Sequence, residues 1–165
     1  RKSGITKAEK KGSRETKEGV IYSYIHAGGR LGVLIELNCE TDFVAKTDGF
    51  KELAHNISMQ IAATNPIAID KDLVDKRVIS KEKEIYTEQA KSEGKPDNII
   101  EKMVEGRIQK FFQDSCLMQQ TYIKDSDKKV ADLFNETIAT LGENISINRF
   151  SRFSIGDSAP NDQQI

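Results

Sequence analysis

The chain has only two cysteines, Cys39 and Cys116, and two histidines, His26 and His55. Residues so few and so far apart give neither a disulfide framework nor the spacing of a zinc site. An excess of one charge is missing as well. The 25 Lys and Arg nearly balance 26 Asp and Glu, for a formal net charge of -1, so no global field draws in nucleic acid or an anionic membrane. Long apolar runs are absent: every stretch falls far short of the roughly 20 residues of a membrane span, and the start carries no signal-peptide pattern. These absences point to an intracellular protein without a structural metal. No internal repeat or low-complexity tract occurs.

Catalytic motifs are missing too. The glycines of "AGGRLG" lie between two strands and not where a strand meets a helix, so they cannot cradle a phosphate on a helix N-terminus. "EGKPD" lacks the glycine spacing and the Ser or Thr of a P-loop. No G-x-S-x-G, no HExxH and no cysteine with a histidine partner is present. Glu36 and Glu40 fall on one face of a strand, but nothing around them in sequence would shift a carboxyl toward acid–base work. The expectation is a binding protein without a cofactor, not an enzyme.

What is present is one domain's worth of patterned sequence: at 165 residues a fold buries roughly two thirds of the unfolded surface. Residues 1–19 hold seven Lys or Arg against three Glu and almost nothing apolar. They read as a linker, with a basic arm for RNA or the ribosome, centred on Arg1 to Lys17, as the alternative. From Val20, "VIYSYI", the turn "HAGGR" and the alternating "LGVLIELNCE" predict a β-hairpin. Its inward face is Val33, Ile35, Leu37 and Cys39.

Phe50, Leu53, Ala54, Ile57 and Ile61 recur at helical spacing behind a cap at Thr47 or Asp48, and Asn65-Pro66 ends the helix. Ser80 caps a shorter charged helix that Gly94 ends. Pro96 opens another, with Ile99, Ile100, Met103, Val104, Ile108, Phe111 and Phe112 as one broad apolar stripe. "CLMQQTYI" reads as loop or short strand. Val130, Leu133, Phe134, Ile138 and Leu141 predict a last helix capped at Gly142, and "NISINRFSRF" a closing strand whose parity breaks between Ile147 and Phe150. The expected fold is α+β, a three-stranded antiparallel sheet with helices packed on one face. Its other face, assigned Tyr22, Tyr24, Leu34 and Phe150, is too apolar to meet solvent comfortably.

Between hairpin and helix stands "NCETDFVAKTDGF". Continued strand parity makes Phe43 the last core residue. If the turn-forming Thr41 and Asp42 end the ladder near Glu40, Phe43 is instead displayed as an anchor for a partner.

This stretch resembles the signature of the translation elongation factor Ts family, whose TDFVA stands at Thr41 to Ala45. "RKSGITKAEKKGSRETKEG" is similar to the family's linker, "HAGGRLGVLIELNCETDFVAK" to its core hairpin, "ISMQIAATNP" and "EGKPDNIIEKMVEGRIQKFF" to its helices, and "LGENISINRF" to its closing strand. The resemblance implies a guanine nucleotide exchange factor for elongation factor Tu. Phe43 would be the wedge near the partner's magnesium, Asp42 its polar partner, and Thr41 and Val44 the residues that hold the turn. It implies a second contact at Met59 and Gln60, where the family often carries a histidine in place of Gln60.

By the same resemblance, residues 1–19 are a linker from a missing N-terminal domain, 20–156 the core and dimerisation domain, and 157–165 a polar tail. The core is single, without a long coiled-coil insertion. A homodimer through the sheets is expected, without an intermolecular disulfide because Ser151 stands where a cysteine could cross-link two copies. The expected location is a bacterial cytoplasm, or a plastid or mitochondrion, with no membrane and no direct nucleic acid contact.

Overall fold

The computed structural model describes residues 11–158. They divide into two compact units, one made of the described residues up to Asn65 together with those from Asp132 onward, the other Pro66–Ala131.

The first unit is built on a three-stranded antiparallel sheet in the order β1 (Glu18–Ile25), β2 (Leu31–Cys39), β5 (Ile145–Ser154). β1 and β2 form the expected hairpin. Gly28 and Gly29 take φ of 96° and 70° in its turn, a left-handed backbone that other residues adopt only at a cost. Val33, Ile35, Leu37 and Cys39 all point into the core, with Leu37 at 0% exposure. The parity break falls where expected. Glu36 pairs with Arg149 and Leu37 with Ile147, leaving Asn148 as the extra residue of a bulge.

The register corrects the assignment of the other face. Tyr22 lies opposite Ile35, Tyr24 opposite Val33 and Phe150 opposite Ile35, and residues directly opposed in an antiparallel pair share a face. These three aromatics therefore sit on the inner, helix-covered side. The outer face carries Ile21, Ile25, Leu34 and Phe153, of which Ile25 and Phe153 are each 66% exposed. The inference of an apolar outer face survives, and of its four expected members only Leu34 does. Parity within one strand cannot say which face of the next strand it matches; only the register can.

α2 (Asp48–Thr64) packs on the inner face after a single-turn helix, α1 (Asp42–Ala45). Thr47 caps α2 by accepting from the Phe50 N–H, and Phe50, Leu53, Ala54, Ile57 and Ile61 are all buried. Asn65, in left-handed conformation, closes it with its N–H on the Ile61 carbonyl. The sheet grips α2 through polar contacts as well: Tyr22 Oη and His55 Nδ1 are 2.8 Å apart, and the Arg152 guanidinium donates to the Ala62 carbonyl at 3.1 Å. α5 (Val130–Leu141) buries Phe134 and Ile138 and ends at Gly142, whose N–H donates to the Ile138 carbonyl.

In the second unit, α3 (Lys76–Ser92) and α4 (Asp97–Ser115) form a helical hairpin across the turn at Gly94. The start of α3 is a correction. Asp75, not Ser80, is its cap, accepting from the Arg77 N–H, so Val78 and Ile79 already belong to the helix. The stripe on α4 is also narrower in fact than in pattern. Ile100 and Ile108 are buried, Met103, Val104, Phe111 and Phe112 half-buried, and Ile99 exposed. α3 is mostly charged and offers too narrow an apolar edge to cover the whole stripe.

Cys116 and Leu117, both fully buried, lead through a 3-10 turn (Leu117–Gln119) into a small ribbon of β3 (Thr121–Tyr122) and β4 (Asp125–Lys129). The sequence "DSDKK" of β4 carries no apolar alternation, so nothing in it announces a strand. Its main-chain pairing with β3 makes it one.

Candidate functional site: the turn after β2

β2 ends at Cys39, and the chain then makes one helical turn, α1, before α2 begins. Thr41 has extended dihedrals and caps α1, its Oγ1 accepting from the Val44 N–H at 3.4 Å. Ala45 is buried, and the Ala45 N–H donates to the Thr41 carbonyl. At the far end the Thr47 hydroxyl donates to the Val44 carbonyl at 2.7 Å while also capping α2. One threonine thus binds the two helices together. Asp42 is exposed and pairs with Lys46 at 3.6 Å, a surface contact of little energetic weight.

Phe43 is 81% exposed, the most exposed large hydrophobic side chain among the described residues. The strand-parity reading that makes it a core residue is therefore overturned. The ladder stops at Cys39, and helical backbone at Asp42 resets the direction of each following side chain. Val44 is half-buried beneath the turn. An apolar ring in water stands on a backbone whose ends are both hydrogen-bonded into the fold.

A carboxylate anchors the near end. Glu143, in the α5–β5 loop, accepts from the N–H groups of Glu40 at 3.1 Å and Thr41 at 3.0 Å, and from the Thr41 hydroxyl at 2.6 Å. Glu40 answers by accepting from the Asn144 N–H at 2.7 Å. Asn144 in turn donates to the Arg14 carbonyl at 2.7 Å, so the residues just before β1 meet the same junction. Sequence reasoning missed Glu143 and Asn144. A polar pair between a helix-ending glycine and a strand reads only as loop, and the partner lies 102 positions away.

The Cys39 thiol donates to the Thr41 carbonyl at 3.1 Å. Burial, with the negative charges of Glu143 and Glu18 adding to it, pushes this thiol up to about 11 against the hydrogen bonds from Thr41 and Ala45. It is held neutral and unreactive. Glu36 and Glu40 do not form an acid–base pair: Glu40 is engaged with Asn144, and hydrogen bonds from Asn38 first, then Asn148 and Arg149, hold the Glu36 carboxyl below its usual range. His26 and His55 are hydrogen-bonded to tyrosine hydroxyls.

Met59 and Gln60 lie on α2, away from the turn in sequence. Met59 is half-buried and Gln60 is 0% exposed. Among the described residues no group of three or more His, Cys, Asp or Glu could hold a metal ion, and no helix is long and apolar enough to cross a membrane.

Fold and site together define an α+β module that displays an aromatic side chain on a clamped turn. Residues 5–157 match the family model described as Elongation factor TS. The chain is 57% identical over 157 residues to the elongation factor Ts of Syntrophomonas wolfei subsp. wolfei, covering 95% of this chain and 73% of that protein. Elongation factor Ts of Oleidesulfovibrio alaskensis is 54% identical over 94% of this chain and 79% of its own length. That of Thermotoga maritima is 57% identical over 95% and 78%. The chain belongs to the elongation factor Ts family, and so to the translation elongation factors of protein biosynthesis.

Proposed function

We propose that this chain is a guanine nucleotide exchange factor for elongation factor Tu and that it works by binding, with Phe43 as the wedge. The observation that carries the proposal is the display of Phe43, 81% exposed on a turn whose backbone is fixed at both ends. An isolated exposed phenylalanine forgoes about 1.5 to 3 kcal/mol of burial that a partner's pocket can supply. A turn ordered in advance spares much of the entropy that docking a loop would cost.

Exchange then follows from coupling. A factor that binds the nucleotide-free partner better than the GDP-bound partner weakens GDP by the same factor, and each 1.4 kcal/mol of that preference is about tenfold. Phe43 enters beside the partner's magnesium, which belongs to elongation factor Tu. Asp42, freed from its weak pair with Lys46, gives the polar contact next to it. Thr41 and Val44 hold the wedge in place. A second contact runs along the exposed edge of Met59, with Gln60 supporting it from the interior.

The outer sheet face, with Ile21, Ile25, Leu34 and Phe153 uncovered, is closed by a second copy of the chain. No disulfide is involved, since Cys39 and Cys116 are both buried and free. The cytoplasm is the compartment in which such a factor meets its partner.

The test is release of fluorescent GDP from a bacterial elongation factor Tu with and without this chain. Strong acceleration is expected, with a loss of at least tenfold in Phe43→Ala and a smaller one in Asp42→Ala, both variants melting like the parent. Acceleration that survives Phe43→Ala unchanged would remove the wedge from the mechanism.

A further inference from the structure

The turn that displays Phe43 is held by a residue from the other end of the sequence. The β2–β5 ladder closes with Cys39 opposite Ile145, so the N–H groups of Glu40 and Thr41 lie past its last rung. Glu143 supplies the missing acceptor. One carboxylate oxygen takes both N–H groups at 3.1 and 3.0 Å, and the other takes the Thr41 hydroxyl at 2.6 Å. That third bond also sets the direction of the cap. With its proton committed to Glu143, the Thr41 oxygen turns a lone pair toward the Val44 N–H, closing α1 beneath Phe43. The Glu40 carboxylate takes the Asn144 N–H in return, so the two loops are bonded by each other's side chains. Hydrogen bonds to an ionised acceptor are about twice as strong as neutral ones, and three on one carboxylate make a stiff joint.

We propose that Glu143 is a positioning residue for exchange: its carboxylate keeps the Thr41–Ala45 turn in the one conformation that presents Phe43 to the partner. This rests on the reading of Phe43 as the wedge. Without the carboxylate the turn populates other conformations, and only the competent fraction binds, so the concentration needed rises by the inverse of that fraction. Once bound, the wedge is the same wedge. Loss of Glu143 therefore differs from loss of Phe43, which removes the differential contact itself.

The experiment measures GDP release against concentration of the full chain for Glu143→Ala, Glu143→Gln and Phe43→Ala, with amide hydrogen exchange on each free variant. The expected result for Glu143→Ala is a half-saturating concentration raised by roughly tenfold with the maximal rate kept, the loss of charge-assisted hydrogen bonds setting that scale. Glu143→Gln shifts it less, because an amide oxygen still accepts the two N–H groups while its NH2 group meets the Thr41 hydroxyl. The amides of Thr41 and Val44 should exchange faster in both, while those of β2 and α2 keep their protection.

A fall in maximal rate with an unchanged half-saturating concentration would overturn the proposal, as would loss of protection throughout the core in both variants. Opened amides at Thr41 and Val44 without any kinetic change would overturn it as well. A fully active Phe43→Ala would defeat the wedge itself, visible without any change at Glu143.

Discussion

Both faces of the three-stranded sheet carry large apolar side chains, and the two have opposite fates. The inner face, Val33, Ile35, Leu37 and Cys39 with Tyr22, Tyr24 and Phe150 beside them, lies under α2, its four β2 residues buried and its three aromatics half-buried. The outer face leaves Ile21, Ile25, Leu34 and Phe153 exposed, set among Ser23 and Ser151 and bordered at its far end by the polar Glu36, Asn38, Asn148 and Arg149 network. A few large apolar residues on a face are therefore not enough to make it core. The inner face is core because a helix with a matching stripe follows β2 directly and folds back onto it. The outer face is the surface on which we propose that a second copy docks.

Substitutions on the two faces test that contrast. Leu37→Ala on the inner face should cost about 2 to 5 kcal/mol in urea unfolding, the range for truncating a buried leucine; a cost below 1 would mean the core is not where the burial places it. Cys39, on the same face, makes the contrast sensitive to pH. Its thiol is raised from 9.0 to about 11 in the folded chain. Folding therefore keeps a proton that the unfolded chain releases, and this contribution is fully present below pH 9 and lost between pH 9 and about 11. Stability followed by circular dichroism should fall across that window in the parent and fall less in Cys39→Val. Equal slopes would mean that Cys39 is accessible in the fold.

Thr47→Ala removes the cap that places α2 over the inner face and should cost about 1 kcal/mol by the same urea measurement. The smallest effect on unfolding belongs to the outer face. Ile25→Lys with Phe153→Lys should change single-chain stability by no more than about 0.5 kcal/mol per site, yet shift sedimentation from dimer to monomer. Destabilisation as deep as that of Leu37→Ala would make the outer face part of the chain's own core.

Much of this was written in local pattern. The hairpin glycines, the alternation of β2, the 3.6-residue spacing of α2, its stop at Asn65 and the parity break in β5 each depend on neighbours a few residues away, and each was read correctly. Errors arose where the neighbour is remote or where local rules tie. Ser80 and Asp75 are both good caps, and the helix starts at the earlier one, where the Asp75 carboxylate accepts from the Arg77 N–H. β4 has no apolar signal at all. The stripe on α4 was legible, but how much of it α3 could cover was not.

At the site the division is sharper. "TDFVA" marked the turn, and Thr41 and Asp42 marked the end of the strand, because turn and cap chemistry is local. Whether Phe43 went inward or outward turned on where the ladder to β5 ended, and what holds the turn turned on a carboxylate brought in by the α5–β5 loop. The chain's pattern of apolar, β-branched and capping residues determined which elements form and what each would bury, since period and capping act within a turn or two of chain. Tertiary structure alone decided which residues of β1 and β5 join the core face of β2, where Phe43 points and that Glu143 meets Thr41, because these depend on register and loop closure between segments that no local period connects.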